Sequence, residues 1–438
     1  MEFTIEKWVY GGEGLARIEA DDQGRRKAVF VPFVLPGETV EATIIEDRAG
    51  FARARFDSVE KPALARVPPM CQYFFRCGGC QYQHADYGKQ LELKRDILVE
   101  TLQRVAKIQL VIEVQLHSAE PYQYRNRTRL KVRSGPEFAI GYHRFGTNEL
   151  LPVKECPISS PLIQRGIAAM WEIGQESDCE GLREVQFFAT HDDSKLLVEF
   201  YSEHDTAGTL DGFVGKLRRA LPEIAGVTVF PWSTSDADDE RAPLTTIRDG
   251  SSAQTFGDRS LEYKTEAGTF RVSAGSFFQT NRFLVDELVR TAVADVSGHT
   301  ALDLYAGTGL FSVPLAKRFD RVIAVESSPF SSADLRHNMP PNAKPVQATT
   351  EQYLQNVGQK SGLDFVLLDP PRSGMGERTA RMLGQLRVPR LTYVSCDPAT
   401  LARDVRVLEQ YGFRIESAHL VDLFPQTFHM ETVLHLAR

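Results

Sequence analysis

The sequence predicts an α/β domain with a doubly wound sheet over residues 271–438, preceded by a small β-barrel and a central α+β region. Three observations carry this. Beyond residue 270, short β-branched runs alternate with helical periods, as in strands joined by crossover helices. Residues 1–62 hold five short strand-like runs separated by turn residues. Between the two, cysteines crowd together at Cys71, Cys77 and Cys80. A chain of 438 residues exceeds one ordinary core, so several domains are expected. We take them as 1–62, 63–270 and 271–438.

Composition narrows the class. Apolar residues at 42% and charged residues at 25% are those of a soluble globular protein. No apolar run approaches bilayer length, and Met1-Glu2-Phe3-Thr4-Ile5-Glu6 has no basic-then-apolar leader. A cytoplasmic chain with no membrane partner is the expectation. The net charge of −7 argues against wholesale polyanion binding and leaves nucleic-acid contact to local patches.

In chain order, Glu2–Tyr10, Gly14–Glu19, Arg26–Leu35, Glu38–Arg48 and Phe51–Glu60 read as five strands. Such a set suggests an OB-like barrel, which often binds nucleic acid; a plain packing module fits the mixed charges equally well. Next comes Cys71-x5-Cys77-Gly78-Gly79-Cys80, with Cys156-Pro157 much later. Six cysteines in a cytoplasmic chain do not suggest disulfides. Close thiols with glycines, and a distant Cys before Pro, favour iron–sulfur ligation over a four-cysteine zinc site, which usually shows two paired spacings. Leu91, Leu98, Leu102 and Val105 mark an amphipathic helix over 86–107.

Arg125, Arg127, Arg129, Lys131 and Arg133 then fall at period two, on one face of a strand. Like charges in a row repel unless something anionic sits opposite, and Tyr122, Tyr124, Tyr142 and His143 lie nearby to stack on bases. A nucleic-acid backbone track is therefore expected there. Val185–Thr190 and Lys195–Tyr201 read as strands, and Ser233–Ala242 as an exposed acidic loop.

The last domain holds the chemistry. Ala301–Tyr305 is a buried strand, Ala306–Leu310 a glycine turn and Phe311–Phe319 a helix; the strand Arg321–Val325 ends in Glu326. Ser312 stands where a dinucleotide fingerprint has its third glycine, so Asp303, Gly307-Thr308-Gly309 and Glu326 suit S-adenosylmethionine better than a nicotinamide. Phe365–Leu368 runs into Asp369-Pro370-Pro371-Arg372. Amino-directed methyltransferases place an aromatic after Asp-Pro-Pro; here Arg372 stands instead, and carbon methylation is the better reading. The strand Leu391–Ser395 then presents Cys396 before Asp397-Pro398. A thiolate adding to carbon 6 of a pyrimidine makes carbon 5 nucleophilic, and a base must afterwards remove the carbon-5 proton. Cys396 suits the first task. For the second, Glu431 is preferred, with His429 as the rival.

These motifs resemble the RumA/RlmD-type RNA uracil-5-methyltransferases along essentially the whole chain. The resemblance rests on the barrel, the Cys71, Cys77, Cys80 and Cys156-Pro157 pattern, and Ser276-Phe277-Phe278-Gln279-Thr280-Asn281. It extends through the Asp303–Gly309 turn, Glu326, Asp369–Arg372, Ser395–Pro398 and Phe424-Pro425…Glu431. It implies a TRAM barrel, a central RNA-binding iron–sulfur domain, and a Rossmann-like methyltransferase domain on which the 86–107 helix packs. It implies Cys396 as nucleophile and Glu431 as base, with cofactor contacts from Gln279, Tyr305, Glu326 and Asp369. It also implies a [4Fe-4S] cluster on Cys71, Cys77, Cys80 and Cys156, and a monomer that makes 5-methyluridine in 23S rRNA. The tRNA T-loop uridine is the alternative target, and a non-catalytic RNA-binding assembly factor the alternative class. Thr349-Thr350 and Leu310 replace polar residues found in relatives, so one cofactor contact stays unassigned.

Overall fold

Eight strands form the sheet that organises the carboxyl-terminal half. In order they are Ala343–Gln347, Phe319–Glu326, Gly298–Leu304, Phe365–Leu368, Arg390–Ser395, Glu431–Ala437, Arg414–Val421 and Val114–His117. Neighbours run parallel except on both sides of Glu431–Ala437, which is antiparallel. Strands covered on both faces need continuous apolar sequence, and Phe365–Leu368 is buried at all four positions. The strand order reverses beside Gly298–Leu304, which opens a crevice at the carboxyl ends of the strands. This computed structural model describes residues 1–19, 26–176, 179–203, 210–232, 253–357 and 362–438. The loop expected at Ser233–Ala242 lies outside them. No helix among the described residues is long and apolar enough to cross a membrane.

The eighth strand, Val114–His117, comes from far upstream, and so does the helix before it. That helix runs Tyr87–Thr101, capped by Asp86 accepting from the Lys89 amide, and continues as a π-turn over Leu102–Ala106. Lys107 ends it in the left-handed region at φ 63°. Leu93, Ile97, Leu98 and Leu102 join one core with Tyr393 of the carboxyl-terminal sheet and with Leu401 and Phe413 of the helix and turn packed on it. Within that apolar stripe Lys94 is fully buried, paired with Asp422 at 2.7 Å.

The central sheet has seven strands, with Arg127–Arg133 between Ala139–His143 and Leu182–Ala189. Here the structure corrects the expected cation track. Arg129 and Lys131 both pair with Glu184, and Arg127 lies 3.8 Å from Glu199 while donating to the Ser276 carbonyl. Arg127 and Arg129 also stack over Phe188 and Tyr201. Of the stripe, Arg133 alone is exposed, and Arg125, Arg129 and Lys131 are half-buried. The anions that relieve the repulsion are the protein's own glutamates, from strands paired alongside.

The barrel is a six-stranded sheet rather than five. Glu2–Thr4 pairs with Thr39–Asp47, and Lys7–Val9 pairs with Glu13–Glu19. The first expected strand changes partner at its middle: the Ile5 amide donates to the Glu38 carbonyl and the Glu6 amide to the Leu15 carbonyl. That switch joins the two sheet edges and closes the curl. The helix expected over Phe311–Phe319 shrinks to Ser312–Leu315, because the Phe319–Glu326 strand starts early and leaves little room for more.

Candidate active site

The register of the carboxyl-terminal sheet places the chemistry. Ser395 is paired with Thr432 across antiparallel strands, so the residue after one and the residue before the other meet at the same sheet end. Those residues are Cys396 and Glu431. Asp397 caps the following helix by accepting from the Ala399 and Thr400 amides, which fixes the backbone just beyond the thiol.

Charge around the pair is one-sided. Burial raises the Cys396 thiol's pKa, and Glu431 and Asp369 add to this while Arg372 opposes it. Burial, then Asp369, likewise pushes Glu431 well above the carboxylate range, and its Oε1 has no hydrogen-bond partner among the described residues. His429 behaves oppositely. Burial, with Arg372, holds it well below the usual imidazole value, and its Nε2 lies 3.2 Å from Arg372 Nη2. Of the two candidate bases, Glu431 is therefore the stronger.

The crevice beside Gly298–Leu304 collects the other residues. Tyr305 sits at φ +61° and Gly307 at φ +56°, and a side chain on Gly307 would meet nothing within 4 Å. A ligand can lie against that open backbone. The Gly307 amide donates to Glu326 Oε2 at 2.8 Å, and the Ser328 amide to Oε1, leaving the carboxylate oriented with lone pairs free for hydroxyls. Burial raises Asp303 and Asp369 each to about 7. Asp303 takes a hydrogen bond from Ser312 on one oxygen, and the other oxygen has no partner among the described residues. Buried carboxylates with spare acceptors facing an open turn fit a cationic nucleoside such as S-adenosylmethionine.

Gln279, nearly buried, rides on a loop gripped from three sides. Arg127 holds the Ser276 carbonyl, the Asn126 amide donates to Thr280, and Asn281 donates to the Leu423 carbonyl. Asp334 takes Ser276 and Arg271 from beneath. The two departures from the family pattern have structural roles. Thr349 caps the Thr350–Asn356 helix, Thr350 bonds the Tyr305 hydroxyl, and Leu310 is core.

Away from this crevice, burial raises the Cys71, Cys77 and Cys80 thiols, and each also feels Cys156. Cys77 Sγ accepts from the Gly79 amide at 3.4 Å, and the Gly78 amide donates to the His143 carbonyl. The four are free cysteines in one neighbourhood, but no group of three or more His, Cys, Asp or Glu among the described residues is arranged to hold a metal ion.

Comparison with known proteins then identifies two domains. The tRNA (Uracil-5-)-methyltransferase family matches residues 252–438, and the TRAM domain matches residues 1–56. The chain therefore carries a tRNA (Uracil-5-)-methyltransferase-family domain behind a TRAM domain. An uncharacterized RNA methyltransferase of Aquifex aeolicus is 29% identical over 99% of this chain and 97% of its own length. One from Listeria monocytogenes is 28% identical over 100% and 97%. The crystal structure of the Pyrococcus abyssi tRNA (uracil-54, C5)-methyltransferase with S-adenosyl-L-homocysteine superposes over the whole of both chains, at TM-score 0.76 and 25% identity. This uracil-5-methyltransferase family domain begins upstream of residue 271, in step with the structure: the hairpin Ser260–Thr265 and Gly268–Ser273 packs into the carboxyl-terminal core.

Two contributors to the site were not anticipated from sequence. Tyr10 comes from the barrel, and the Arg372–His429 contact joins two motifs read separately.

Proposed function

We propose that this chain methylates carbon 5 of a uridine in RNA, with Cys396 as nucleophile and Glu431 as base. The observation carrying the proposal is the Ser395–Thr432 register, which sets those two side chains at one strand end beside Asp369. Cys396 adds as its thiolate, the form each turnover regenerates, and its sulfur bonds to carbon 6, moving the ring electrons onto the uracil oxygen at position 4. S-adenosylmethionine supplies the electrophilic methyl on a sulfonium. Carbon 5 takes that methyl, Glu431 removes the carbon-5 proton, and the returning electrons expel the Cys396 thiolate. Gln279, Tyr305, Glu326 and Asp369 are assigned to hold the cofactor, Glu326 through the ribose hydroxyls.

A cation in the crevice favours the ionised forms of Asp303 and Asp369, both about 7 when free, so binding releases protons. Cofactor affinity is expected to rise from pH 5.5 up to about 7, by about tenfold per pH unit for each proton released, and to level off above. Titration calorimetry in two buffers checks this; an affinity flat across that range contradicts it.

The four half-buried cysteines support a [4Fe-4S] reading, since thiols gathered beside Arg125 suit an anionic cluster. When bound, it would tie the Cys71–Cys80 loop to the Cys156-Pro157 segment. Anaerobically purified protein is expected to be brown, and Cys77→Ser to bleach it; a colourless protein with stoichiometric zinc contradicts the assignment.

For the target, 23S rRNA is our reading, because the cluster pattern matches the rRNA-directed branch of the family resemblance. The whole-chain likeness to a tRNA (uracil-54, C5)-methyltransferase favours a second reading, the tRNA T-loop. Mapping 5-methyluridine in both RNAs of a deletion strain separates them: the modification disappears from 23S rRNA under the first and from tRNA under the second.

A further inference from the structure

The turn Tyr10-Gly11-Gly12 leaves the barrel and enters the active site. The Tyr10 hydroxyl donates to the Cys396 carbonyl at 3.3 Å and also lies within hydrogen-bonding reach of Asp397. Its ring meets Phe428 edge-on, with centroids 5.4 Å apart. Phe428 in turn packs on His429, two residues before Glu431. One side chain thus touches the loop of the nucleophile and the loop of the base, across 386 residues of sequence on the first side.

The turn is shaped for this close approach. Gly11 and Gly12 have φ of +111° and +90°, and a Cβ on Gly12 would meet Gln81 at 2.7 Å and Phe428 at 3.5 Å. Gln81 continues the wedge: its amide donates to the Gln426 carbonyl, and its Oε1 accepts from the Phe428 amide. The barrel, the cysteine loop and the base loop are stitched together at one point. Asp397 is already held by the helix it caps, so the Cys396–Asp397 peptide is fixed from the helix on one side and from Tyr10 on the other.

We infer that Tyr10 is a positioning residue for the reaction, a wedge from the barrel that sets the Cys396 loop against the Glu431 loop. The barrel is then a wall of the active site as well as an RNA-binding appendage. This rests on the roles proposed above for Cys396 and Glu431. A side chain that orients a nucleophile changes the rate of the step more than the affinity for either substrate. Removing its hydroxyl leaves the ring and the packing in place.

Two readouts test this in the full-length protein. Tyr10→Phe is expected to slow covalent adduct formation with substrate RNA about tenfold, while KM for RNA and the dissociation constant for S-adenosylmethionine stay unchanged. It should also change the rate at which iodoacetamide alkylates Cys396, followed by peptide mass spectrometry, a readout that needs no RNA. Tyr10→Ala removes the wedge and should slow release too, so that adduct accumulates with Glu431 intact. If Tyr10→Phe forms adduct and is alkylated at the wild-type rates, the inference is wrong. If Tyr10→Phe raises KM for RNA with kcat unchanged, Tyr10 binds RNA and does not position, which also overturns it. Failure of the wild type to form adduct with any RNA would instead overturn the reading beneath it.

Discussion

Glu431→Gln is expected to accumulate a protein–RNA species that survives denaturing electrophoresis. The substitution keeps the shape of the side chain and removes the base, so addition and methyl transfer proceed while release stalls. Losing a general base costs about 10²–10⁴ in rate, enough to turn a transient adduct into the main species. The trapped base should carry the new methyl only when S-adenosylmethionine is present. Cys396→Ala should form neither adduct nor product, although it still binds cofactor. Normal turnover by Glu431→Gln would shift the base role to His429, despite the Arg372 contact at its Nε2.

The second large effect lies beneath the base loop. Lys94 and Asp422 are both fully inaccessible and 2.7 Å apart, and Lys94 also donates to the Phe424 carbonyl at 3.0 Å. Beside them, Gln90 holds Gln426 through both side chain and backbone. Together they pin the Asp422–Gln426 segment that leads to Glu431. Lys94→Ala leaves the Asp422 carboxylate buried and unpaired, which should destabilise the fold by about 3–5 kcal/mol. The double variant Lys94→Met with Asp422→Leu should recover most of that loss, because no lone charge then remains. Chemical denaturation of the three proteins checks it. A Lys94→Ala protein as stable as the wild type would show that water reaches Asp422.

What was legible follows from how far each interaction reaches along the chain. Asp369, Cys396 and Glu431 each end or begin a strand, and strand ends are visible in local sequence as β-branched runs meeting Pro or Gly. The long helix was visible for the same reason, through its apolar period. Period two placed Arg127, Arg129, Lys131 and Arg133 on a strand, though Arg125 lies just before it, but could not reveal what faces them. Glu184 and Glu199 lie more than fifty residues away, and they turn an expected RNA track into the brace that holds the Ser276 loop. Tyr10 was hidden more deeply. Nothing local distinguishes a tyrosine before two glycines from any barrel turn, and only the docking of barrel on sheet brings it to Cys396. The switch at Ile5-Glu6 that closes the barrel is likewise a tertiary event, invisible in an uninterrupted strand pattern.

The most direct test is release of tritium from RNA labelled at uridine carbon 5, measured beside methyl incorporation from S-adenosylmethionine. Carbon-5 methylation through Cys396 predicts one tritium lost for each methyl gained in the wild type, and neither in Cys396→Ala. Methyl incorporation without tritium release would place the methyl on another atom and contradict the account.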